Sequence, residues 1–448
     1  MLSAFANSLK IPELRQRIFF TLSMIFVCRL VETVPTPGID PGALQRVIAD
    51  IEGQVSGGFL SFIDLFSGGA LSRCAVGALG IMPYISASII LQMMTAIVPT
   101  LERLAREGDA GRQKLSQYTR YLTIVICGIQ GFVLALTLER PGALGINEVL
   151  VPIQGWEFRI MTVLTQIAGT MLMMWIGEQI TERGIGNGIS MVITINIVSR
   201  LPSALYAAIN MFKPVEGVAR FTIFHLIGLV VGFFLVVAAT IALTQAQRKI
   251  PINTTKRVIG RKVYGGQNTY MPLRVNYSGV MPIIFSSVML AFPAAILRQL
   301  PWDFAKTIGV AFNIGEPLYV TCDALLILFF SYFWVATQFN PLQIADDLKR
   351  NGGYVPGIRP GRPTAEYLDK TMTRITLIGA IFLTAIAILP SILARWGSVP
   401  YLVAQFFGGT SLLIIVGVVL DTMRQVESHL LMRNYDGFLR KGKLRGRK

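Results

Sequence analysis

The sequence predicts an all-α polytopic membrane protein, and three observations support that fold class. Of the 448 residues, 53% are hydrophobic and only 15% are charged, and the mean hydropathy is +0.57. The apolar residues form stretches of roughly 20 residues, the length that a helix needs to cross a bilayer. The basic residues collect in alternate loops between these stretches. This pattern excludes a soluble protein of two or three domains.

Ten apolar stretches are predicted to be membrane-spanning helices, with boundaries good to a few residues. They cover residues 18–34, 75–98, 119–138, 158–177, 185–205, 221–244, 273–297, 317–339, 374–394 and 401–421. An even number of spans puts both termini on one side of the membrane. Because 30 of the 41 Lys and Arg residues lie in the loops and termini of that side, the positive-inside rule assigns it to the cytoplasm.

The first predicted span ends in two charges, and the second begins with a break. Arg29 and Glu32 lie three residues apart on one helical face, which favours an ion pair near the outer interface. In residues 66–94, FSGGALSRCAVGALGIMPYISASIILQMM, a Gly-Gly pair and Arg73 interrupt the apolar pattern. Irregular backbone lies at membrane depth only where protein buries it or a watery cavity adjoins it. The alternative is a surface loop that leads into an ordinary span.

Four glycines and Asn187 lie in the run GEQITERGIGNGISMV, where the fourth span ends and the fifth begins. Small residues allow helices to approach closely, so the glycines are predicted to pack. Asn187 is predicted to be a buried amide on an apolar face, which needs a partner or water. That need makes Asn187 a candidate for a pore wall.

Two of the predicted cytoplasmic loops are longer than simple connectors. In residues 245–274, two β-prone segments, KRVIGRKVY and TYMPLRV, flank Gly-Gly-Gln-Asn and predict a basic hairpin. In residues 339–374, the prolines and glycines of PGIRPG fix a tip that carries Arg359. Exposed cations of this kind suit a phosphate-rich or acidic partner. Charge that serves only membrane orientation and solubility is the alternative for both loops.

The sequence contains no recognisable catalytic motif. It has no phosphate-binding glycine loop, no metal-ligand spacing among its four cysteines, and only two histidines. A membrane-embedded enzyme is therefore disfavoured. A small-solute secondary transporter would suit a broken span, but it usually needs acidic groups within its spans. The predicted spans have almost no acidic residue in their interior, because Asp64 precedes the break and Glu178, Glu316 and Asp421 fall near span ends. A passage for a large and chemically varied substrate is therefore preferred.

Nine motifs follow one another along the chain: FSGGALSR, ALGIMPYISASIILQ, GRQKLSQYTRY, ERGIGNGIS, QRKIPIN, RVIGRKVYGGQ, FNPLQIADDLK, VPGIRPG and FGGTSLLI. In this order they resemble the SecY family, the channel subunits of the Sec protein translocase. The resemblance covers almost the whole chain. It implies ten helices in two pseudo-symmetric five-helix halves, residues 1–205 and 206–448, with a basic cytoplasmic hairpin loop and a basic tail at 422–448.

The resemblance also implies roles for particular residues. A short plug helix at about 59–72 would close the outer funnel, with Phe62, Phe66, Gly68, Gly69 and Leu71. A pore ring would exclude ions yet yield to a passing chain, and it would consist of Ile81, Ile85, Ile189, Ile193, Ile284 and Ile414. A lateral gate would lie between the second and third spans on one side and the seventh and eighth on the other. The polar residues that hold it closed would be Gln92, Asn187, Ser286 and Ser287.

The partners and the location follow from the same resemblance. The SecA ATPase motor or the ribosome would dock on Arg257, Arg261, Lys262 and Arg359. The other expected partners are the subunits SecE and SecG, signal peptides, nascent polypeptides and membrane lipid. The chain would conduct unfolded preproteins across the bacterial cytoplasmic (inner) membrane and release transmembrane segments into lipid. It would catalyse no reaction itself and would need no cofactor or metal.

Overall fold

The structure, a computed structural model, describes residues 11–39, 67–71, 73–139, 151–152, 154–212, 223–254, 257–259, 262–264, 268–287, 289–290, 308–309, 311–312, 316–397, 399–407 and 409–441. Helices predominate among these residues. Seven of the described helices are long and apolar enough to cross a membrane, and an eighth arises if one bent pair counts as a single span. The predicted class, a helical polytopic membrane protein, is therefore confirmed.

The first seven described helices are α1 Pro12–Val31, α2 Met82–Ile97, α3 Pro99–Arg106, α4 Asp109–Glu139, α5 Trp156–Arg183, α6 Gly188–Ser199 and α7 Leu201–Met211. Proline lies in the first turn of four of them, where its fixed φ suits the helix and its missing N–H costs no hydrogen bond. Between α2 and α3 the chain bends by 102° at Val98.

The later helices are α8 Ile223–Gln245, α9 Pro317–Gln338, α10 Pro341–Arg350, α11 Arg362–Trp396, α12 Tyr401–Phe407 and α13 Gly409–Lys441. Helix α8 exposes large apolar side chains such as Phe224, Phe234 and Leu235, as a helix that faces lipid does. Helix α13 continues beyond the predicted end of the tenth span at residue 421. The predicted basic tail is therefore helical as far as Lys441.

The count of ten spans stays a prediction. One predicted span carries too many charges to pass as a membrane helix by composition, and another is described only in part. Helix α1 has 20 residues, but Arg15, Arg17 and Arg29 lower its hydropathy. Of the predicted seventh span, 273–297, residues 273–287 and 289–290 are described, and residues 281–287 form a helix.

The chain divides into two compact units. One comprises Met1–Ala207 together with Ile414–Lys448, and the other comprises Ala208–Leu413. In the first, Leu14, Ile185 and Val426 form one apolar core. In the second, a core consists of Leu243, Ile283, Ile327, Leu383, Ile386 and Leu413. The predicted halves, 1–205 and 206–448, stay a prediction, and the units differ from them in the assignment of α13 after Leu413.

Both long loops of the second unit contribute to one antiparallel sheet with strand order β4-β1-β5. Its strands are β1 Gln247–Thr254, β4 Asn268–Arg274 and β5 Gly353–Tyr354. Strand β1 pairs with β4 from Gln247 opposite Arg274 to Asn253 opposite Asn268, and Asn253 also lies opposite Tyr354. Two further strands, β2 Arg257–Ile259 and β3 Lys262–Tyr264, form a separate hairpin.

The prediction of which strands pair in the basic hairpin was wrong. The segment KRVIGRKVY, which was expected to pair with TYMPLRV, folds back on itself as β2 and β3. TYMPLRV pairs instead with β1, in which alternate residues Ile250 and Ile252 are buried and Ile250 packs against Leu273 of β4. A strand with one buried face selects the partner that extends the same core.

Candidate functional site

Residues 67–71 and 73–81, here called the irregular segment, form a non-helical run that leads into α2. The chain follows successive turns, with positive φ at Gly68, Gly69 and Gly80 and also at Cys74, whose φ is 42°. Most of its side chains are buried, and Arg73 is exposed. The predicted break before the second span is therefore confirmed, and α2 begins only at Met82.

A buried glutamine of α5 bonds to polar groups of the irregular segment. Gln166 is 1% exposed, its Nε2 donates to the carbonyl oxygen of Ala75 at 3.1 Å, and its Oε1 accepts from the N–H of Leu79 at 3.3 Å. Gly169 allows this approach, because a Cβ there would overlap the carbonyl oxygen of Val76. Buried backbone groups away from water need such partners. Gln166 was not among the predicted site residues, although a lone amide in an apolar span indicates such a role.

Gly68 and Gly69, two of the predicted plug residues, lie against a polar cluster of α1 and α6. The Ser199 hydroxyl is 3.3 Å from the carbonyl oxygen of Gly68. A Cβ on Gly68 would lie 2.6 Å from Nη1 of Arg29, and one on Gly69 would lie 3.1 Å from the guanidinium carbon of Arg200. Both glycines have positive φ, so glycine is needed here for conformation and for space.

The ion pair predicted between Arg29 and Glu32 is present. Glu32 is 2% exposed, and it also accepts a hydrogen bond from the fully buried side chain of Asn196 in α6. We call Arg29, Glu32, Asn196, Ser199 and Arg200 the latch cluster. It joins the end of α1 to the end of α6 beside Gly68 and Gly69, which fixes the start of the irregular segment.

The remaining plug prediction lies mostly outside the described residues. Phe62 and Phe66 belong to that part of the chain, as do residues 59–66 of the predicted plug helix. Leu71 is buried, at 9% exposure. The described part, residues 67–71, is in turns, and the plug helix itself stays a prediction.

The predicted pore-ring isoleucines are buried except one. Ile81 precedes α2 and Ile85 lies in its first turn, while Ile193 follows Ile189 by one turn of α6. Five of the six are between 1% and 7% exposed: Ile81, Ile85, Ile193, Ile284 and Ile414. Ile189 is half-buried. Burial alone also describes ordinary core residues, so the ring stays a prediction.

The glycines at the junction of α5 and α6 pack closely, as predicted. A Cβ on Gly188 would overlap the carbonyl oxygen of Gly177. The expectation that Asn187 is a buried amide was wrong, because this residue is exposed. Its Oδ1 accepts from the N–H of Ser190 at 3.2 Å and caps α6. Asn is favoured there because it satisfies one of the free N–H groups at a helix start.

The other three lateral-gate candidates have different surroundings. Gln92 is exposed on α2, with its Nε2 3.4 Å from a serine hydroxyl one turn earlier. The Ser287 hydroxyl bonds within its own helix, at 2.9 Å from the carbonyl oxygen of Ile283. Ser286 is fully buried and its hydroxyl donates to the carboxylate of Asp323.

Asp323 corrects the expectation that almost no acidic residue lies in the interior of a span. It is the seventh residue of α9, inside the predicted eighth span, and it is 8% exposed. Its hydrogen bond to Ser286 joins the predicted seventh and eighth spans within the second unit. A buried carboxylate needs such a partner.

Arg359 is exposed in the turn between β5 and α11. Gly357 and Gly361 on either side have φ of 80° and 101°, and the Thr364 hydroxyl donates to the carbonyl oxygen of Arg359 at 2.8 Å. Ile358 packs against the core beneath the sheet. The backbone is therefore fixed while the guanidinium has no ion pair with any residue that the structure describes.

The other docking candidates are only partly described. Arg257 begins β2 and Lys262 begins β3, so their backbones lie in one hairpin. Their side chains, and the whole of Arg261, fall outside what the structure describes.

The family model of SecY matches residues 75–423. The protein translocase subunit SecY of Chlamydia trachomatis is 44% identical to this chain, with 98% of each chain covered. A solved structure described as that of a protein conducting channel aligns with a TM-score of 0.58 at 16% identity, over 92% of this chain and 91% of the other. Sec61 of a canine ribosome-channel complex aligns with a TM-score of 0.56 at 15% identity over the same shares. Both structures share the fold, and by sequence the chain belongs to the SecY family.

Proposed function

We propose that this chain is the pore-forming subunit of a protein translocase and conducts unfolded preproteins across a bacterial cytoplasmic membrane. The observation that carries the proposal is the irregular segment, whose backbone is bonded by Gln166 and whose start is fixed by the latch cluster. Non-helical backbone within a span suits the wall of a pathway. The 44% identity to a translocase subunit over nearly the full length supports the same function.

In the closed channel, the plug at about residues 59–72 blocks the outer funnel. The latch cluster holds its C-terminal end through the contacts at Gly68 and Gly69. The constriction consists of Ile81, Ile85, Ile189, Ile193, Ile284 and Ile414. Their β-branched side chains keep ions out by dewetting, and they offer a passing chain no specific hydrogen bond.

Apolar segments of the substrate leave for lipid through a lateral gate between the second and third spans and the seventh and eighth. The bond from Ser286 to Asp323 supports this proposal because it holds the seventh and eighth spans together as one wall. Gln92, Asn187 and Ser287 remain the other polar gate residues. Polar groups at such a seam need partners in the closed state.

Both termini and the sheet face the cytoplasm, as the distribution of Lys and Arg indicates. There, Arg359 and the basic residues Arg257, Arg261 and Lys262 dock the ribosome or the SecA motor, and SecE and SecG complete the channel. The fold shared with Sec61 of a ribosome-channel complex supports the ribosome as a partner. The chain catalyses no reaction, so energy comes from the docked partner or from the membrane potential.

Solute transport is less well supported, because the buried carboxylates that the structure describes already have protein partners. Glu32 bonds to Arg29, Glu139 bonds to Arg159, and Asp323 bonds to Ser286. A coupling site for an ion or proton needs a carboxylate that is open to the pathway.

Reconstitution into liposomes tests the proposed function. We expect a preprotein to become protected from added protease when the chain, SecE, SecG, the motor and ATP are all present. Omission of the chain alone is the control and should abolish protection. Failure of protection in the complete system, together with uptake of a small solute by the chain alone, would favour a transporter.

A further inference from the structure

An open cavity of about 450 Å³ lies in the first unit among α2, α4, α5 and the start of α6. Its volume is in the range of cavities that bind small ligands or short peptide segments. Two carboxylates, Glu178 and Glu182, line it together with one cation, Arg120. The rest of its wall is largely amide and hydroxyl groups, including Gln113 and Gln117.

The charges of this cavity contrast with those around it. Arg120 forms a two-point ion pair with Glu178, at 3.2 Å from Nε to Oε1 and 2.7 Å from Nη2 to Oε2. Glu182 then leaves the lining with one net negative charge, although the chain as a whole has a net charge of +16. The neighbouring basic residues Lys114 and Arg183 do not line it. The negative charge that would attract a cationic ligand therefore lies in the lining of the cavity, and the neighbouring positive charges lie outside it.

The cavity is lined by residues near helix ends and by one residue of the predicted pore ring. Glu182 lies at the end of α5 and Gln113 at the start of α4, both of which the positive-inside rule assigns to the cytoplasmic side. Tyr84, next to Ile85 in the first turn of α2, and Ile189 of the predicted ring also line it. A ligand seated here therefore contacts the cytoplasmic ends of α4 and α5 and one residue of the predicted ring.

From this geometry we propose that the cavity binds the basic N-terminal segment of a chain that is about to be transported. Such segments carry Lys or Arg ahead of an apolar run of 7–15 residues. Glu182 and the Arg120–Glu178 pair hold the basic end on the cytoplasmic side, and the apolar run then lies beside α2. The cavity thereby orients the substrate before it enters the channel. This inference rests on the proposed function and names the part of the substrate that the site recognises.

The test compares preproteins that carry three or no lysines in the N-terminal segment, in the complete reconstituted system. With the Glu178→Gln/Glu182→Gln variant, the initial rate for the basic substrate should fall about two- to fivefold, the range expected for exposed charge pairs. The rate for the neutral substrate should not change. The difference should shrink in high salt, because the charges are exposed to solvent.

The matched control is Glu102→Gln, which removes an exposed carboxylate of α3 that pairs with Arg106 outside the cavity. It should leave both rates unchanged. An unaltered preference for the basic substrate in the double variant would overturn the inference and leave the proposed function intact. Absence of transport by the unmodified channel would instead overturn the proposed function.

Crosslinking keeps the inference testable if the double variant does not fold. In the Glu182→Cys variant, the new thiol should form a disulfide with a cysteine in the basic segment of a stalled preprotein, and the unmodified chain provides the background. The chain's own basic residues 442–448 are the competing ligand. If the thiol crosslinks only to cysteines placed there, and never to the substrate, the inference is wrong.

Discussion

The irregular segment and the three-stranded sheet are two places where the described chain departs from helix, and they satisfy their backbone hydrogen bonds in different ways. In the sheet, β1 bonds to β4 and β5, and exposed edges can bond to water. In the irregular segment, turns bond within the segment and to Val34 and Thr36, and the amide of Gln166 bonds to Ala75 and Leu79. Water is scarce within a span, so a side chain must supply the partners that turns leave unbonded.

This difference predicts different tolerance to substitution. The irregular segment depends on single residues, since one amide serves two backbone groups and Gly169 allows the helix that carries it to approach. The sheet spreads its backbone bonds over many residues and rests on a core that includes Ile250, Leu273 and Val355. We expect substitutions in or against the irregular segment to lower stability. Substitutions in the exposed turn at Arg359, next to the sheet, should instead leave stability unchanged and alter only the binding of partners.

Gly169→Ala should have the largest effect. The added methyl group would overlap the carbonyl oxygen of Val76 and push α5 away from the irregular segment. We expect a loss of about 3 kcal/mol or more in stability, measured as a lower melting temperature in detergent. The control is Gly128→Ala in α4, where the nearest atom is 3.9 Å away and alanine should stabilise the helix by up to about 1 kcal/mol. Equal effects at the two glycines would refute the close approach.

Gln166→Leu should have the next largest effect. It leaves the N–H of Leu79 buried without its partner, at a cost of about 2 kcal/mol, while the carbonyl of Ala75 keeps its hydrogen bond from the N–H of Ala78. The measurement is again thermal unfolding in detergent. Gln130→Leu in α4 is the matched substitution at a half-buried amide, and it should change stability little. A Gln166→Leu protein as stable as the unmodified chain would show that the irregular segment does not need the amide.

Gly69→Ala should weaken the seal more than it weakens the fold. Positive φ costs alanine about 1 kcal/mol, and the methyl group also presses on the guanidinium of Arg200. We expect a raised resting ion conductance in planar bilayers. Gly108→Ala carries the same backbone strain, at φ 78° with no atom within 4 Å of the new methyl group, and should not leak. If both variants conduct ions only at background level, the latch cluster does not help to seal the closed channel.

Arg359→Glu should have the smallest effect on stability, below about 0.5 kcal/mol, because its side chain is exposed and has no ion pair within the described part of the chain. Transport driven by the motor should nevertheless fall severalfold, since the proposed docking cation becomes an anion. Lys370→Glu on the exposed surface of α11 is the control and should transport normally. Normal transport in the Arg359→Glu variant would exclude this tip from docking.

The sequence was sufficient to predict features with a strong local pattern. Long apolar runs predicted the helical class, the Gly-Gly pair with Arg73 predicted the break before α2, and the spacing of Arg29 and Glu32 predicted their ion pair. The prolines and glycines around Arg359 predicted a fixed turn with an exposed guanidinium. Each of these depends on residues within a few positions of one another, so one sequence suffices.

Features that depend on distant residues were missed or misassigned. The partner of β4 is β1, which lies across the β2–β3 hairpin, and only the shared core of Ile250 and Leu273 selects it. Gln166 acts on a segment about 90 positions away. Asn187 was expected in an apolar surrounding, but its side chain caps the start of α6. Asp323 was overlooked in an apolar run whose pairing with Ser286 spans two helices.

The central claim is that a polypeptide passes beside the irregular segment at the start of α2. The most direct measurement is site-specific photocrosslinking from position 85, with a photoreactive side chain in place of Ile85, while a secretory chain is stalled in transit. The same probe in place of Phe234, exposed on α8, is the control that reports lipid contact. We predict a crosslink to the stalled chain from position 85 alone. Absence of that crosslink, while the motor or ribosome still binds through Arg359, would contradict the account and place the conduit elsewhere.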